Sequence, residues 1–393
     1  MTRKQNKLLL SLVLAFLLSS CAKTPSISHS VSLPSVNPPD TTNKTAMRIY
    51  ETLPIYSNAA KLPWQPIQTK TPIKVGSDNA YIPVIHQRLI ALQDMPAVVS
   101  VSKDTTYTAS LAHGVAQFQS QNGLKPTGII NQDTLNALNI TPETRFYELV
   151  RSMDAWAKLP EDANSRYIQV NVPQYEMHVE QGGEDVLHMK VVVGRPSRPT
   201  PELASTITTI VFNPSWNIPK TILSQDVIPG MQHNSNYMNE HYDMKVYANW
   251  NKDAPEISPA TIDWQTATLG NFTYRVTAPP SDKNPLGRIK FIFANDQDIY
   301  MHDTPAKALF ALNDRAQSSG CIRLENSMAL VQYFYPDNSD LNQESVDQYL
   351  STYETKYIQL RNPMPVYVTY ITAWVDQTGH AHFARDIYHG DLK

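Results

Sequence analysis

Two cysteines are all that this 393-residue chain contains, and they stand in unrelated settings. Cys21 closes the N-terminal segment, while Cys321 lies far downstream beside Ser318, Ser319 and Gly320. Residues 1–20 carry Arg3, Lys4 and Lys7, then an apolar stretch over 8–18 that is too short to span a membrane and has the length of a secretory signal. The chain is therefore expected to be exported to a compartment where disulfides form. With one cysteine spent at the end of the signal, the mature chain has no internal disulfide available. Apolar cores alone must hold whatever it folds into.

The signal ends Leu18-Ser19-Ser20-Cys21, which resembles the bacterial lipobox, where cleavage follows attachment of a lipid to the cysteine sulfur. Cys21 is expected to be that lipidation site; an ordinary signal cleaved near Ala22 predicts export as well. Ala22 and Lys23 lack the aspartate associated with inner-membrane retention in enteric bacteria, which points to the outer membrane, facing the periplasm. Residues 24–43 turn to Ser, Pro, Thr and Val, so 22–45 reads as a disordered linker. Beyond it, 41% hydrophobic and 18% charged residues describe globular protein with length for two or three domains. A net charge of −3 offers no basis for nucleic-acid binding or for an acidic membrane surface.

A scaffold segment over 46–77 leads into residues 78–140, which show helical period: Ile82, Ile85, Leu89 and Leu92 share one face, as do Leu111, Val115 and Phe118. After the turn at Gly123 to Gly128, Asn131 is a credible N-cap for a third short helix with Thr134, Leu135 and Leu138. A three-helix bundle follows. The order Phe118-Gln119, Asn122-Gly123-Leu124, Thr127-Gly128 and Thr134-Leu135 resembles the type 1 peptidoglycan-binding domain, and that resemblance alone implies glycan as a partner.

From Arg166 onward the pattern is of short strands: 167–172, 186–193, 207–212, 288–293 and 299–302, with turns at Gln181-Gly182-Gly183 and Gly194-Arg195-Pro196. A helix over 327–334 follows Cys321. The last strand ends on His302, nineteen positions before Cys321. A thiol among small residues, with an imidazole at a strand end, offers a nucleophile, a general base and backbone N–H groups for an oxyanion. The bland reading of a lone cysteine is a buried, inert hydrophobe.

Tyr300-Met301-His302-Asp303-Thr304-Pro305, Arg315-Ala316 and Ser318-Ser319-Gly320-Cys321 together resemble the YkuD-type L,D-transpeptidases of bacterial cell-wall synthesis. Further matches are Asn213-Pro214-Ser215-Trp216-Asn217-Ile218-Pro219, Leu286-Gly287 and the tail 365–388. The likeness spans 145–393 and is greatest to large periplasmic, lipid- or membrane-anchored members with a peptidoglycan-binding module and a cap over the active site. It implies an α+β multidomain architecture: a mostly-β catalytic domain (core 165–345, capping insertion 231–284, extension 346–393), the helical bundle and an additional helical scaffold. It implies cysteine-dependent transpeptidation of stem peptides through a thioester, with His302 as base, backbone N–H groups around Ser319 to Cys321 as oxyanion donors, and Gly320 allowing the backbone to come close. It implies no cofactor, and partners among peptidoglycan stem peptides, the membrane through the lipid and other cell-wall enzymes. Many members carry His at the position of Ser319 and Asn at that of Arg323; a backbone carbonyl near position 319 would serve as third catalytic element whatever the side chain.

Arg323 and Arg315 suit substrate carboxylates, which a guanidinium meets with two parallel bonds, while pairing within the loop is an equal reading for Arg315. Tyr300, two positions before His302 on one strand face, reads either as cleft lining or as core, and Trp216 is a further candidate for substrate contact. Residues 231–284, with His233, Tyr237, His241, Tyr242, Tyr247 and Trp250, have the length of a functional cap. Its aromatics serve glycan or fill the cap's own core. His380 and His382, with Asp386, His389 and Asp391 nearby, would suit a metal, but Gln377-Thr378-Gly379 reads as a hairpin turn and no further ligand has familiar spacing. The expected metal content is none.

Overall fold

The structure is a computed structural model that describes residues 32–96, 103–162 and 164–389. Cys21, the signal and the lipid site fall outside the described residues. Residues 32–43, counted above with the disordered linker, are irregular but not free. Leu33 and Val36 pack against a core formed by the first and fifth helices, and Asn43 is buried.

Five helices come first. In α1 (Lys44–Ala59) the Asn43 side chain caps the Ala46 N–H. Then follow α2 (Ile82–Ala91), α3 (Ala109–Gln121), α4 (Gln132–Asn139) and α5 (Pro142–Trp156). Thr108, Asn131 and Thr141 cap α3, α4 and α5 by accepting from an orphan N–H three residues on. The apolar faces of α2 to α4 meet in one core with Ile82, Ile85, Leu89, Val115, Phe118 and Leu135 buried. The residues that carry the bundle's family likeness hold this core together. Gln119 accepts from the Gly128 N–H at 2.8 Å and donates to Ile129 O and Thr134 Oγ1 at 2.8 Å each. Gly128 has φ +65°, and a Cβ there would sit 2.8 Å from the Ala112 carbonyl oxygen, so only glycine suits that turn.

The β-rich region opens with β1 (Arg166–Asn171), β2 (Glu176–Gln181), β3 (Glu184–Gly194) and β4 (Leu203–Phe212). Next comes an insertion, from β5 (Trp216–Asn217) through α6 (Lys220–Ile222), a π-turn over Leu223–Val227, α7 (Ile228–His233), α8 (Tyr237–Glu240), β6 (Lys245–Tyr247) and β7 (Glu256–Ile257) to β8 (Arg275–Ala278). The chain returns in β9 (Ile289–Phe293), β10 (Met301–His302), β11 (Ala316–Ser318) and β12 (Ile322–Leu324), then α9 (Ser327–Tyr333), α10 (Gln343–Leu350) and β13 (Lys356–Thr369). A hairpin of β14 (Ala373–Val375) and β15 (Ala381–Phe383) ends it.

The main sheet closes on itself. Its order is β11-β3-β12-β10-β9-β4-β13-β1-β2, with β2 pairing back onto β3. The long β3 makes this possible. Its Val191 and Val193 N–H groups donate to Tyr175 and Arg315 on one edge, while its Lys190 carbonyl accepts from Glu325 on the other. Closure leaves few backbone edges to cover. Alternate residues line the interior, where Val170, Val191, Ile210, Phe291, Met301 and Ile322 are fully buried. Mixed parallel and antiparallel pairing makes this the β-rich half of an α+β architecture.

The insertion departs from expectation. It leaves the sheet after Phe212 and re-enters at Ile289, so it is longer than 231–284, and it is not irregular. It has a four-stranded sheet, β5-β8-β6-β7, and its own core of Trp216, Ile218, Val227, Met238, Val246 and Trp264. Short strands and a π-turn escape period-based reading. At the far end, β14 and β15 pack on α1 and α5. Trp156 Nε1 donates to Ala373 O at 3.2 Å, and Arg48 Nε to Val375 O at 3.0 Å.

Candidate active site

Register builds the site. β10 runs parallel to β12 with His302 opposite Arg323 and Met301 opposite Ile322, and antiparallel to β9 with His302 opposite Lys290. Side chains alternate across a sheet, so Phe291, Met301 and Ile322 enter the core. Lys290, His302 and Arg323, with Tyr300 and Cys321 two residues earlier on their strands, turn to the opposite face. That face lies under the insertion. Tyr300 packs against the insertion's core, of which Trp216 is part, and Trp216 meets Tyr242 edge-on at 5.9 Å.

The loop before Cys321 is held from both sides. Ser318 Oγ donates to Cys321 O at 2.6 Å, and Thr200 Oγ1 donates to Gly320 O at 2.7 Å. The Tyr388 hydroxyl braces Thr200 in turn, accepting from its N–H at 3.1 Å and donating to Gly194 O at 2.6 Å. Ser319 Oγ accepts from Arg198, whose guanidinium also grips Asp226 in the cap's π-turn through bonds of 2.6 and 3.0 Å. Gly320 has φ +117°, with Ile299 Cδ1 3.2 Å from where a Cβ would stand. Its N–H donates to Ser318 Oγ at 3.1 Å, so Gly320 shapes the loop and is not an oxyanion donor. Among the described residues, the Ser319 and Cys321 N–H groups have no hydrogen-bond partner, which leaves that pair for an oxyanion.

Cys321 is half-buried and is the free cysteine of the described residues. Its thiol points to the Asp298 carbonyl at 3.7 Å, and Tyr300 runs alongside, its carbonyl accepting from the Ile322 N–H at 3.1 Å. Burial pushes the thiol above its ordinary range, against the pull of Tyr300 and the Lys290 and Arg323 charges. His302 is buried, and its Nδ1 lies 2.5 Å from its own neighbour's carbonyl, Asp303 O. A carbonyl only accepts, so Nδ1 carries the proton and Nε2 keeps its lone pair for a substrate or thiol proton. The orienting carbonyl is thus at 303, not near 319 as expected. Burial first, then Arg323 and Lys290, lower the His302 pKa to about 3, so the resting imidazole is neutral.

The other sequence candidates separate. Arg323 stays in the cleft, with a buried Nε that has no partner. Arg315 does not: it is buried, and each of its three guanidinium nitrogens holds a backbone carbonyl, Val191 O at 3.2 Å, Leu312 O at 3.0 Å and Tyr175 O at 3.1 Å, which makes it a structural clamp. Tyr237 and Tyr242 pack on the cap's core while Trp250 is exposed. His382 bonds Asp376 at 2.8 Å across the turn, and His380 bonds Thr378 at 2.8 Å. Among the described residues the side chains with metal-ligating spacing are instead His178, Glu180 and Asp185 on the β2–β3 hairpin. Burial disfavours the His178 charge but Asp185 and Glu176 outweigh it, raising its pKa to about 9. Sequence reasoning missed Lys290, Arg198 and Asp303. A lysine alternating with core residues reads as solvated until a cap covers it.

Comparison with known proteins agrees with this construction. Residues 165–337 match the family model described as "L,D-transpeptidase catalytic domain" (YkuD), and residues 82–138 match "Putative peptidoglycan binding domain". The chain therefore carries a YkuD catalytic domain behind a peptidoglycan-binding domain. A Haemophilus influenzae protein described as "Putative L,D-transpeptidase" is 34% identical over 221 residues, which is 56% of this chain and 44% of that protein, so the match spans less than half the relative's length. An L,D-transpeptidase (Yku) structure from Stackebrandtia nassauensis is 13% identical, covering 76% of this chain and 97% of that one, with a TM-score of 0.26. The catalytic domain of an E. faecium L,D-transpeptidase acylated by ertapenem is 13% identical, covering 53% and 98%, with a TM-score of 0.25.

Proposed function

We propose that this protein is an L,D-transpeptidase that joins peptidoglycan stem peptides by 3→3 cross-links through a Cys321 thioester. The observation that carries the reading is the shared cleft face of Cys321 and His302, with the His302 proton fixed on Nδ1 by Asp303 O. Cys321 Sγ attacks the carbonyl carbon of the third residue of a stem tetrapeptide, normally meso-diaminopimelate. The Ser319 and Cys321 N–H groups receive the oxyanion. His302 Nε2 takes the thiol proton and returns it to the nitrogen of the terminal D-alanine as the C–N bond breaks. The side-chain amine of a second stem then attacks the thioester, gives its proton to His302, and releases Cys321 as the new amide forms. Arg323, with an unsatisfied buried Nε, pairs with a substrate carboxylate.

Export, lipid attachment at Cys21 and residence at the periplasmic side of the outer membrane belong to the same proposal and rest on the signal and the residues after it. The test is mass spectrometry of products from purified disaccharide-tetrapeptide, with Cys321→Ala as control. Dimers in the wild type alone are expected, and a carbapenem, whose strained ring carbonyl is an acyl donor, should add its full mass at Cys321. Tripeptide with free D-alanine would make water the acceptor and the protein a carboxypeptidase. Unchanged substrate together with no carbapenem adduct in folded protein would sink the enzymatic reading in favour of a wall-binding lipoprotein.

A further inference from the structure

β9 reads Ile289-Lys290-Phe291-Ile292-Phe293, with Ile289, Phe291 and Phe293 in the core and Lys290 on the cleft face opposite His302. Lys290 is half-buried there. Its Nζ stands 3.5 Å from the centroid of the Tyr300 ring, and Tyr300 lies beside the Cys321 segment, its carbonyl accepting from the Ile322 N–H at 3.1 Å. An ammonium over an aromatic face is held by the ring's quadrupole, so its position is set before any substrate arrives. Burial lowers its pKa, and the charges of Cys321 and Asp298 work against that by favouring the ammonium.

We propose that Lys290 is a third member of the nucleophilic centre, an ammonium clamped over Tyr300 as the fixed counter-charge of the Cys321 thiolate. The inference rests on Cys321 being the nucleophile, as proposed above, and not on the identity of the acceptor. In the usual dyad an imidazolium stabilises the thiolate, but this imidazole is buried between Lys290 and Arg323 and stays neutral at rest. The groups that face the sulfur are Lys290 from β9, Tyr300 and Asp298 from β10 and the segment before it, and Arg323 from β12, beside which Tyr242 descends from the cap. On ionisation the S–H bond breaks with its electron pair left on sulfur. The proton goes to solvent in the free enzyme, or to His302 Nε2 when a donor is bound, and Lys290 keeps its three protons throughout. Lys290 acts through Cys321 and is a positioning residue.

The test needs no peptidoglycan, so it is separable from the transpeptidase reading: the pH dependence of Cys321 alkylation by iodoacetamide in the full soluble chain. Lys290→Met and Lys290→Gln should each move the midpoint up by about one unit, slowing alkylation about tenfold at neutral pH, because a lost neighbouring cation disfavours the thiolate. Lys290→Arg should restore the wild-type midpoint, and His302→Gln should leave it in place. Coincident profiles for the wild type and a folded neutral variant would overturn the proposal, including the case in which those variants only raise KM by losing a substrate carboxylate. If neither neutral variant folds, the reciprocal measurement decides: linkage requires that Cys321→Ser lower the Lys290 pKa, read by NMR, by the same amount. An unchanged Lys290 titration would overturn it equally.

Discussion

At the scale of single residues, His302 illustrates how tertiary neighbours decide what a motif residue can do. Its place at a strand end was legible in the sequence; its charge state was not, because Lys290 and Arg323 come from strands 12 and 21 positions away along the chain. The native imidazole refuses protons down to about pH 3, whereas an unfolded histidine binds them near 6.5. Stability is therefore undiminished above about pH 6.5 and falls as the pH drops from there toward 3, since the unfolded chain gains the proton that the folded one excludes. Urea unfolding at pH 7 and pH 4 should show His302→Gln gaining on the wild type by on the order of 3 kcal/mol on acidification. A difference independent of pH would mean that His302 is protonated in the native state. Arg315 teaches the converse: substrate contact and pairing within the loop were equal readings, and each of its three guanidinium nitrogens holds a backbone carbonyl.

At the scale of elements, the cap is joined to the candidate site at two points. Arg198 ties Ser319 to Asp226, and Gly287 forms the hinge by which the chain leaves the cap for β9. Gly287 has φ +60°, and a Cβ would lie 2.3 Å from Asp303 Oδ2, the oxygen that accepts from the Arg288 N–H at 3.1 Å. Gly287→Ala should cost about 1–2 kcal/mol for the left-handed backbone alone. It should also displace Asp303, whose carbonyl orients His302, so carbapenem acylation should slow as the melting temperature falls by several degrees. Acylation at the wild-type rate would show that the hinge and the histidine are uncoupled. The sequence marked Leu286-Gly287 only as part of a likeness; its reason is this close approach. The cap's strands, two to four residues long, carry too few alternations to be read in advance.

At the scale of the whole molecule, the closed sheet and the terminal hairpin make one body of distant parts. Phe383 at the C-terminal end is buried, lies edge-on to Tyr56 at 5.8 Å and sits under the Arg145 guanidinium at 4.0 Å. Phe383→Ala should cost about 3–5 kcal/mol through lost burial and a cavity, read by calorimetry as earlier melting of the helical half. Unchanged melting would show that the hairpin does not fasten the helices. The sequence by itself determined the elements that repeat with a clear period, the helix caps and the glycines at turns, and it singled out one thiol and one imidazole as candidates, because these are local or carried by short motifs. Only the tertiary structure decided that Lys290 stands over the Tyr300 ring opposite His302, that Gly320 turns its N–H away, that Arg315 is structural and that the sheet closes through β3. Each of those depends on register between strands far apart in the chain, and a shift of one residue would send every such side chain to the opposite face.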